Sequence, residues 1–407
     1  MIIKLDMVQT AALAVIVLFV GQKIKNKVPS FEKYCIPSPV IGGLIFAFIT
    51  LALKVSNVLS LNMDITLQKL CMTAFFTTIG FTAGFKLLKN GGKAVFVFLA
   101  INIILCVLQN ILGVSLAKMF GLHPLLGLAT GSTPLVGGLG TAGAFAPLFE
   151  KAGAVGANTV AIASATFGLV FGSIIGGPLA KRLIEKNHLK TPMDTVTSKD
   201  TITAMVHEEI AAAKENTGKQ LIPDNFMNAV AQILLAMGIG TIISILLEKT
   251  GMTFPVYIGA MFAAAIIRNI SDATNAYKFY GEEIDILGDI SLALFLAMAL
   301  MGLKLWQLAS LALPLIIMLL AQSILIMIFA YYICYNIMGR DYEATVISSG
   351  EIGFGLGATA NAMANMGALT EKYGSAPKAF FIVPLVGSLF IDFFNAGIIT
   401  AFMNYFK

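Results

Sequence analysis

Two stretches of the chain, residues 131–145 and 348–366, combine glycines with hydroxyl and amide side chains inside otherwise apolar sequence. Glycine allows sharp turns and close backbone approach. Where such a turn starts a helix, the first N–H groups lack intrahelical partners and can hold an anion. The two stretches therefore predict a binding site for a small anionic solute. The residues expected to form it are Ser132, Thr133, Gly137, Gly138, Gly140, Thr141, Ser349, Gly355, Gly357, Thr359 and Asn361.

Asp392 lies inside an apolar segment, residues 379–402, that contains no Lys or Arg. A carboxylate at the bilayer centre costs about 2.5–3.5 kcal/mol on insertion scales, so it needs a partner. Asn395 follows at i+3, on the same helical face. A carboxylate, an amide oxygen and loosened carbonyls suit a hard cation, so Asp392 and Asn395 are predicted to bind Na⁺. A hydrogen-bonded or protonated structural Asp is the alternative. The depth of Glu351 and Asp289 is not determined by the sequence.

The glycine motifs have two other interpretations. Residues 138–143 spell GxGxxG, but the dinucleotide fingerprint requires a preceding strand and a soluble βαβ unit, whereas these residues lie among membrane spans. Small residues also allow close helix packing, which is the interpretation we favour for Gly168, Gly172 and Gly176. For the first glycine-rich stretch we favour binding, because its counterpart has the same character.

The composition is that of a membrane protein. Hydrophobic residues make up 57% of the 407 residues and charged residues 12%, against about 25% charge in soluble proteins. The net charge of +5 is explained by Lys and Arg in cytoplasmic loops, where membrane proteins concentrate them. It does not indicate nucleic-acid binding, because the sequence has no clustered basic patch. No Cys pair has a CxxC spacing and no Cys/His cluster suggests a metal site. No cofactor is expected beyond Na⁺ as a coupling ion.

The sequence contains the same pattern twice, with offsets of 216 to 221 residues. The matching pieces are Pro39-Val40 with Pro255-Val256, Gly84-Phe85-Lys86-Leu87 with Gly302-Leu303-Lys304-Leu305, Gly138-Leu139-Gly140 with Gly355-Leu356-Gly357, and Glu150-Lys151 with Glu371-Lys372. Related membrane halves with interrupted apolar segments at matching places are typical of secondary transporters, and the interruptions mark the binding site.

Apolar periodicity predicts ten membrane helices, five in each half. They are residues 7–21, 39–53, 66–88, 94–118 and 158–180, then 226–247, 255–267, 284–303, 309–337 and 379–402. Each half adds one re-entrant hairpin, at about 124–149 and about 345–368. The predicted fold is an all-α polytopic membrane protein with two inverted-topology repeats, residues 1–184 and 225–407, joined by a cytoplasmic linker, residues 185–224.

The distribution of Lys and Arg sets the orientation. If both termini lie outside and the central loop is cytoplasmic, 19 of the 27 basic residues fall on the cytoplasmic side. This agrees with the excess of positive charge in cytoplasmic loops. The first hairpin then enters from outside and the second from the cytoplasm.

At these motifs the chain resembles the bacterial sodium/glutamate symporter family. The resembling pieces are residues 137–141, 165–170 with 175–178, 355–359 with 364–366, and 383–387 through 391–392. The resemblance implies Na⁺-coupled uptake of L-glutamate by alternating access, inverted five-helix repeats with re-entrant hairpins, and a homodimer in the bacterial cytoplasmic (inner) membrane. The second hairpin departs from the GGxG pattern of the first, since Phe354 separates two of its glycines.

Other functions stay open at this point. Related transporters carry 2-hydroxycarboxylates on a similar plan, so Na⁺- or H⁺-coupled symport of another small dicarboxylate or 2-hydroxycarboxylate is the alternative. A channel would give uncoupled flux. A membrane-embedded enzyme is disfavoured, because no His-backed nucleophile or metal pair is evident in the spans. We therefore expect a transporter rather than an enzyme.

Overall fold

The computed structural model describes residues 2–34, 36–56, 60–84, 92–192, 223–249, 254–255, 257–274, 277–307 and 311–407. Most of the predicted linker, the end of the predicted helix at 66–88 and the repeated piece at 85–87 lie outside these residues. The described residues are mostly helical, as the composition predicts.

The first half contains nine helices among its described residues. They are α1 Met7–Lys25, α2 Pro29–Lys33, α3 Ser38–Val55, α4 Thr66–Thr82, α5 Gly92–Met119, α6 Pro124–Leu128, α7 Ser132–Leu135, α8 Gly138–Lys151 and α9 Ala157–Lys186. In the second half the described α-helices are α10 Pro223–Glu248, α11 Tyr257–Thr274, α12 Gly281–Met301, α13 Ala312–Phe329, α14 Tyr335–Met338, α15 Tyr342–Leu356, α16 Thr359–Tyr373, α17 Pro377–Leu385 and α18 Ile391–Phe406.

Seven of the described helical spans are long and apolar enough to cross a membrane. They are α1, α3, α5, α9, α10, α12 and the continuous span Ala312–Met338. An eighth forms if α17 and α18, bent by 43° at a break, count as one span. The other two predicted crossings are present as helices but fall short. The helix α4 has only 17 residues, and α11 ends in the polar residues Arg268, Asn269 and Asp272.

Two π-helical turns, neither of them predicted from the sequence, interrupt the last long helices. One, Ala330–Cys334, joins α13 to α14, and the other, Val386–Phe390, joins α17 to α18. Such turns insert an extra residue into a helix and occur often at functional sites. The second turn ends two residues before Asp392.

The expectation of an all-helical chain misses one small feature. Strand Ile2–Leu5 pairs in parallel with strand Ser60–Met63. Asp6 and Gln9 form a capping box at the start of α1, which satisfies two N–H groups at that helix end. Before α4, Thr66 donates to the carboxylate of Asp64, and this hydrogen bonding lowers the Asp64 pKa.

The first two long helices of each half pack through a glycine near the start of the second helix. A methyl group on Gly42 of α3 would lie 2.0 Å from the Val17 carbonyl oxygen of α1. A methyl group on Gly259 of α11 would lie 2.2 Å from the Gly240 carbonyl oxygen of α10. Both helix pairs therefore approach too closely for any larger residue, at positions that are one residue apart in the register of the sequence repeat, which pairs Gly259 with Gly43.

Four contacts join helix ends that belong to different halves. They are Lys54 Nζ over the Trp306 ring at 3.4 Å, Lys118 Nζ over the Phe406 ring at 4.6 Å, Lys186 Nζ over the Tyr331 ring at 5.3 Å, and the Asn269 amide donating to the Ala83 carbonyl at 2.9 Å. The predicted topology places both members of the first two pairs outside. In the last two pairs it places Lys186 and Asn269 inside, and Tyr331 and Ala83 within predicted helices near their cytoplasmic ends.

Candidate functional site

The first broken segment, residues 124–151, consists of α6, α7 and α8. Gly138 starts α8 in a left-handed conformation, with φ of +62°, which glycine adopts without the steric cost of a side chain. The two ends of the segment are neighbours, because a methyl group on Gly153 would lie 3.6 Å from the His123 ring. The chain therefore enters and leaves this segment at one place.

The second broken segment, residues 342–373, consists of α15 and α16. Gly357 ends α15 and Ala358 is extended, so the helix stops and restarts at Thr359. The Tyr342 hydroxyl at the start of the segment donates to the Gly374 carbonyl just after its end. The second segment also begins and ends at one place.

The breaks of the two segments meet. A methyl group on Gly138 would lie 3.5 Å from the Gly357 carbonyl oxygen. The repeated motif does not superpose on the breaks, however. Gly138-Leu139-Gly140 follows the first break, whereas its sequence partner Gly355-Leu356-Gly357 precedes the second. The pairing of motifs located both breaks, but the tertiary structure offsets them by about one helical turn.

The predicted packing role of the small residues on α9 is confirmed. A methyl group on Gly168 would lie 1.7 Å from the Leu356 carbonyl oxygen and 3.1 Å from the Leu135 side chain. A methyl group on Gly172 would lie 3.3 Å from the Gly353 carbonyl oxygen, and one on Gly176 would lie 2.2 Å from the Asn365 amide nitrogen. The helix α9 thus packs its glycines against both broken segments.

Ser132, at the start of α7, is held by two amides from distant helices. Its N–H donates to Asn110 Oδ1 at 3.0 Å and its hydroxyl donates to Asn395 Oδ1 at 2.7 Å. The Asn395 amide donates back to the Ser132 carbonyl at 3.1 Å. All three side chains are buried. The first broken segment is therefore fixed to α5 and α18 at the residue where α7 begins.

Amides also fix the second broken segment. Asn361 donates to the Leu169 carbonyl at 2.7 Å and to the Ser173 hydroxyl at 2.5 Å, both on α9. Gln109 of α5 donates to the Gly355 carbonyl at 2.8 Å. These bonds hold α15 and α16 between α5 and α9.

Three predicted site residues keep a buried polar atom without a partner among the described residues: Thr133 Oγ1, Ser349 Oγ and Asn361 Oδ1. Buried polar atoms are normally hydrogen-bonded, so each unpaired one needs an explanation. Asn361 is next to the contact between the breaks, since a methyl group on Gly357 would lie 3.2 Å from its side-chain carbon.

Other predicted residues lie around this centre rather than in it. A methyl group on Gly140 would lie 2.9 Å from the Phe75 ring, and one on Gly355 would lie 2.3 Å from the Ile326 side chain. Neither glycine therefore faces the opposite break. Gly137 packs on its own helix, against Thr141 at 2.5 Å. A methyl group on Gly387, in the π-helical turn Val386–Phe390, would lie 3.1 Å from the Thr359 hydroxyl.

Asp392 lies near the site but is not hydrogen-bonded to Asn395. It is half-buried, and within the described part of the chain its carboxylate has no ion pair or hydrogen bond. The titratable groups nearest to it are the Cys106 thiol of α5 and the Tyr257 hydroxyl of α11. Asn395 is instead positioned by Ser132. The predicted Na⁺ pair thus consists of one carboxylate without a partner among the described residues and one amide that is hydrogen-bonded to Ser132 at the first break.

Four buried amide side chains in the middle of α5 and α13 were not among the predicted site residues. Asn102, Gln109, Asn110 and Gln322 are all fully buried. Gln322 donates to the Gln109 carbonyl at 2.8 Å. The available signal was their presence inside long apolar helices, where polar side chains face the protein interior.

Comparison with known proteins identifies the family of this chain. The sodium/glutamate symporter family profile matches residues 3–375. The chain belongs to the sodium/glutamate symporter family. A sodium/glutamate symporter of Escherichia coli strain K12 is 40% identical over 400 residues, covering 98% of both chains. One of Haemophilus influenzae is 40% identical over 394 residues, covering 96% of this chain and 95% of the relative. The predicted resemblance is confirmed for nearly the whole chain, and it identifies a transporter family, not an enzyme.

Proposed function

We propose that the protein is a secondary active transporter that carries L-glutamate into the cell together with Na⁺. Family membership and the names of the relatives support this activity. The observation that carries the proposal is the contact between Gly138 and Gly357, because it brings two interrupted helices to one point inside the helical bundle.

The two carboxylates of glutamate suit this arrangement. The helices α8 and α16 both start at the breaks, and the first N–H groups of a helix have no intrahelical partner. The partial positive charge at each helix start attracts an anion. Each break therefore offers donors for one carboxylate.

The unpaired side-chain oxygens suit the rest of the substrate. The α-ammonium group of glutamate has three N–H donors, and Asn361 Oδ1 is a buried acceptor without a described partner. The Thr133 hydroxyl can donate to a carboxylate. The Ser349 hydroxyl instead faces α9, where a methyl group on Gly176 would lie 3.0 Å from its oxygen. A substrate with one ammonium and two carboxylates would use both kinds of group.

We assign Na⁺ to Asp392 and Asn395. A hard cation between them would pair the Asp392 carboxylate and use the second lone pair of Asn395 Oδ1. Because Asn395 also holds Ser132, the ion would strengthen the position of the first break. Such coupling is reciprocal, so glutamate at the break would favour Na⁺ binding. Glutamate carries one net negative charge, so net inward movement of positive charge requires more than one cation.

The two broken segments are proposed to be re-entrant hairpins within inverted repeats, residues 1–184 and 225–407. The adjacent ends of each segment, at His123 with Gly153 and at Tyr342 with Gly374, support re-entry. The four contacts between helix ends from different halves support opposite orientation, since each pair lies on or near one predicted side. The glycine contacts α1–α3 and α10–α11 support an internal repeat.

We place the protein in the bacterial inner membrane, with both termini outside and residues 185–224 cytoplasmic. A homodimer is proposed from the family resemblance. Among the seven described spans, α1 and α10 have the smallest share of buried residues, 22% and 17% of their apolar windows. Their apolar faces can therefore contact lipid or a second copy.

The test is uptake of labelled L-glutamate by purified protein in liposomes with an inward Na⁺ gradient. We expect accumulation that disappears when the gradient is collapsed, and competition by unlabelled L-glutamate. Flux that persists without a gradient would indicate a channel. Competition by citrate or malate but not by glutamate would replace the substrate with a 2-hydroxycarboxylate.

A further inference from the structure

Glu351 is a fully buried carboxyl group in the middle of α15. Its Oε2 accepts a hydrogen bond from Asn102 Nδ2 of α5 at 3.0 Å. Two oxygens of this pair, Glu351 Oε1 and Asn102 Oδ1, have no partner among the described residues. The assigned substrate and Na⁺ groups do not include either residue.

The two unpaired oxygens belong to groups that already face each other. A carboxylic acid and an amide can form a ring of two hydrogen bonds, N–H to one carboxyl oxygen and O–H to the amide oxygen. The N–H half of that ring is present between Asn102 and Glu351. The other half needs one hydrogen between two oxygens that are both acceptors when Glu351 is ionised. A proton on Oε1 supplies it.

The surroundings favour a proton over a metal ion. Hard cations such as Ca²⁺ collect about six or more oxygens, whereas this pair offers two unpaired oxygens. No Lys, Arg or His of the described residues forms an ion pair with Glu351. The titratable groups near Glu351 are the Cys106 thiol on α5 and the Cys334 thiol at the end of the π-helical turn Ala330–Cys334. An ionised Glu351 would therefore be an uncompensated buried charge.

We infer that Glu351 and Asn102 form a proton-binding site that holds the second broken segment on α5. The proton adds to Glu351 Oε1 and is shared with Asn102 Oδ1. Its release leaves two acceptors facing each other, which weakens the contact between α15 and α5. Gln109 contacts the same segment one turn further on, at the Gly355 carbonyl beside the break. Loss of the proton is thereby transmitted to the site.

Infrared spectroscopy of the purified full-length protein tests the proton directly. We expect the carbonyl stretch of a protonated carboxylic acid at neutral pH, its loss at alkaline pH, and its absence in Glu351→Gln. The Asp392→Asn variant is the control and should keep this band. A wild-type spectrum without the band, or an unchanged band in Glu351→Gln, would overturn the inference.

A second measurement, the pH dependence of uptake, rests on the proposed function, whereas the spectrum does not. If one proton is required, wild-type uptake falls about tenfold per pH unit above the midpoint of band loss. Glu351→Gln places an amide opposite Asn102 and restores both hydrogen bonds without a proton, so this alkaline fall should be absent. If Glu351→Gln instead raises the Na⁺ concentration needed for half-maximal uptake and keeps the alkaline fall, the site binds Na⁺ and the inference is wrong.

Discussion

Substitution of Gly168 by Ala tests whether transport needs the second break to lie against α9. The added methyl group would start 1.7 Å from the Leu356 carbonyl oxygen, whereas Cβ atoms essentially never approach a heavy atom closer than 3.0 Å. The carbonyl must therefore move by about 1.3 Å. It cannot rotate away as a side chain would, because it belongs to the backbone that ends α15.

The cost follows from the kind of contact. Overpacking of a filled interior costs about 1–3 kcal/mol, and about 2 kcal/mol corresponds to a factor of about 30 in an equilibrium. If the transporting state requires this contact, the efficiency of glutamate uptake at low substrate should fall about 30-fold. Glutamate uptake into proteoliposomes with a fixed Na⁺ gradient measures it, normalised to the amount of inserted protein.

Gly177 provides the matched control on the same helix. A methyl group there meets no atom within 4 Å, and alanine favours a helix over glycine by about 1 kcal/mol. Gly177→Ala should therefore transport normally. Normal uptake by Gly168→Ala would refute the reasoning, because it would show that the cycle does not need the close contact between α9 and Leu356.

Three further variants probe the site. Thr133→Val removes a hydroxyl without a described partner, so thermal stability should hold while half-saturating glutamate rises about 10- to 150-fold, the range for a hydrogen bond to a charged group; an unchanged half-saturation would remove Thr133 from the site. Ser132→Ala leaves Asn395 Oδ1 buried without its donor and should lower the free energy of unfolding by about 1–3 kcal/mol, seen as a lower thermal midpoint than that of Thr133→Val. Asp392→Asn should raise the Na⁺ concentration for half-maximal uptake in protein that still inserts; an identical Na⁺ response would exclude Asp392 as an ion ligand.

Helix positions could be predicted because a bilayer imposes long apolar runs. The apolar runs located each of the ten helices, although α4 and α11 are shorter or more polar than the runs suggested. The π-helical turns beside Cys334 and Asp392 could not be predicted, because a single extra residue in a helical turn leaves no clear mark in apolar sequence. Glycine density located both breaks to within a few residues but not the offset between them.

The candidate site was predicted only in part. Glycines and hydroxyls of the broken segments were recognisable because such residues are unusual in a lipid-facing helix. The partners of those residues were not recognisable as partners. Asn110 and Gln109 are recognisable as polar residues in a long apolar helix, but nothing local shows that they face the breaks.

The sequence by itself determined the class of protein, the positions of the long helices, the two interruptions and the family. Each of these depends on local composition or on similarity along the chain. Only the tertiary structure decided which polar groups meet: Ser132 with Asn395, 263 residues apart, and Asn102 with Glu351, 249 residues apart. The physical reason is that a buried polar group must find its partner in space, and helix packing brings together residues whose separation along the chain carries no information about their contact.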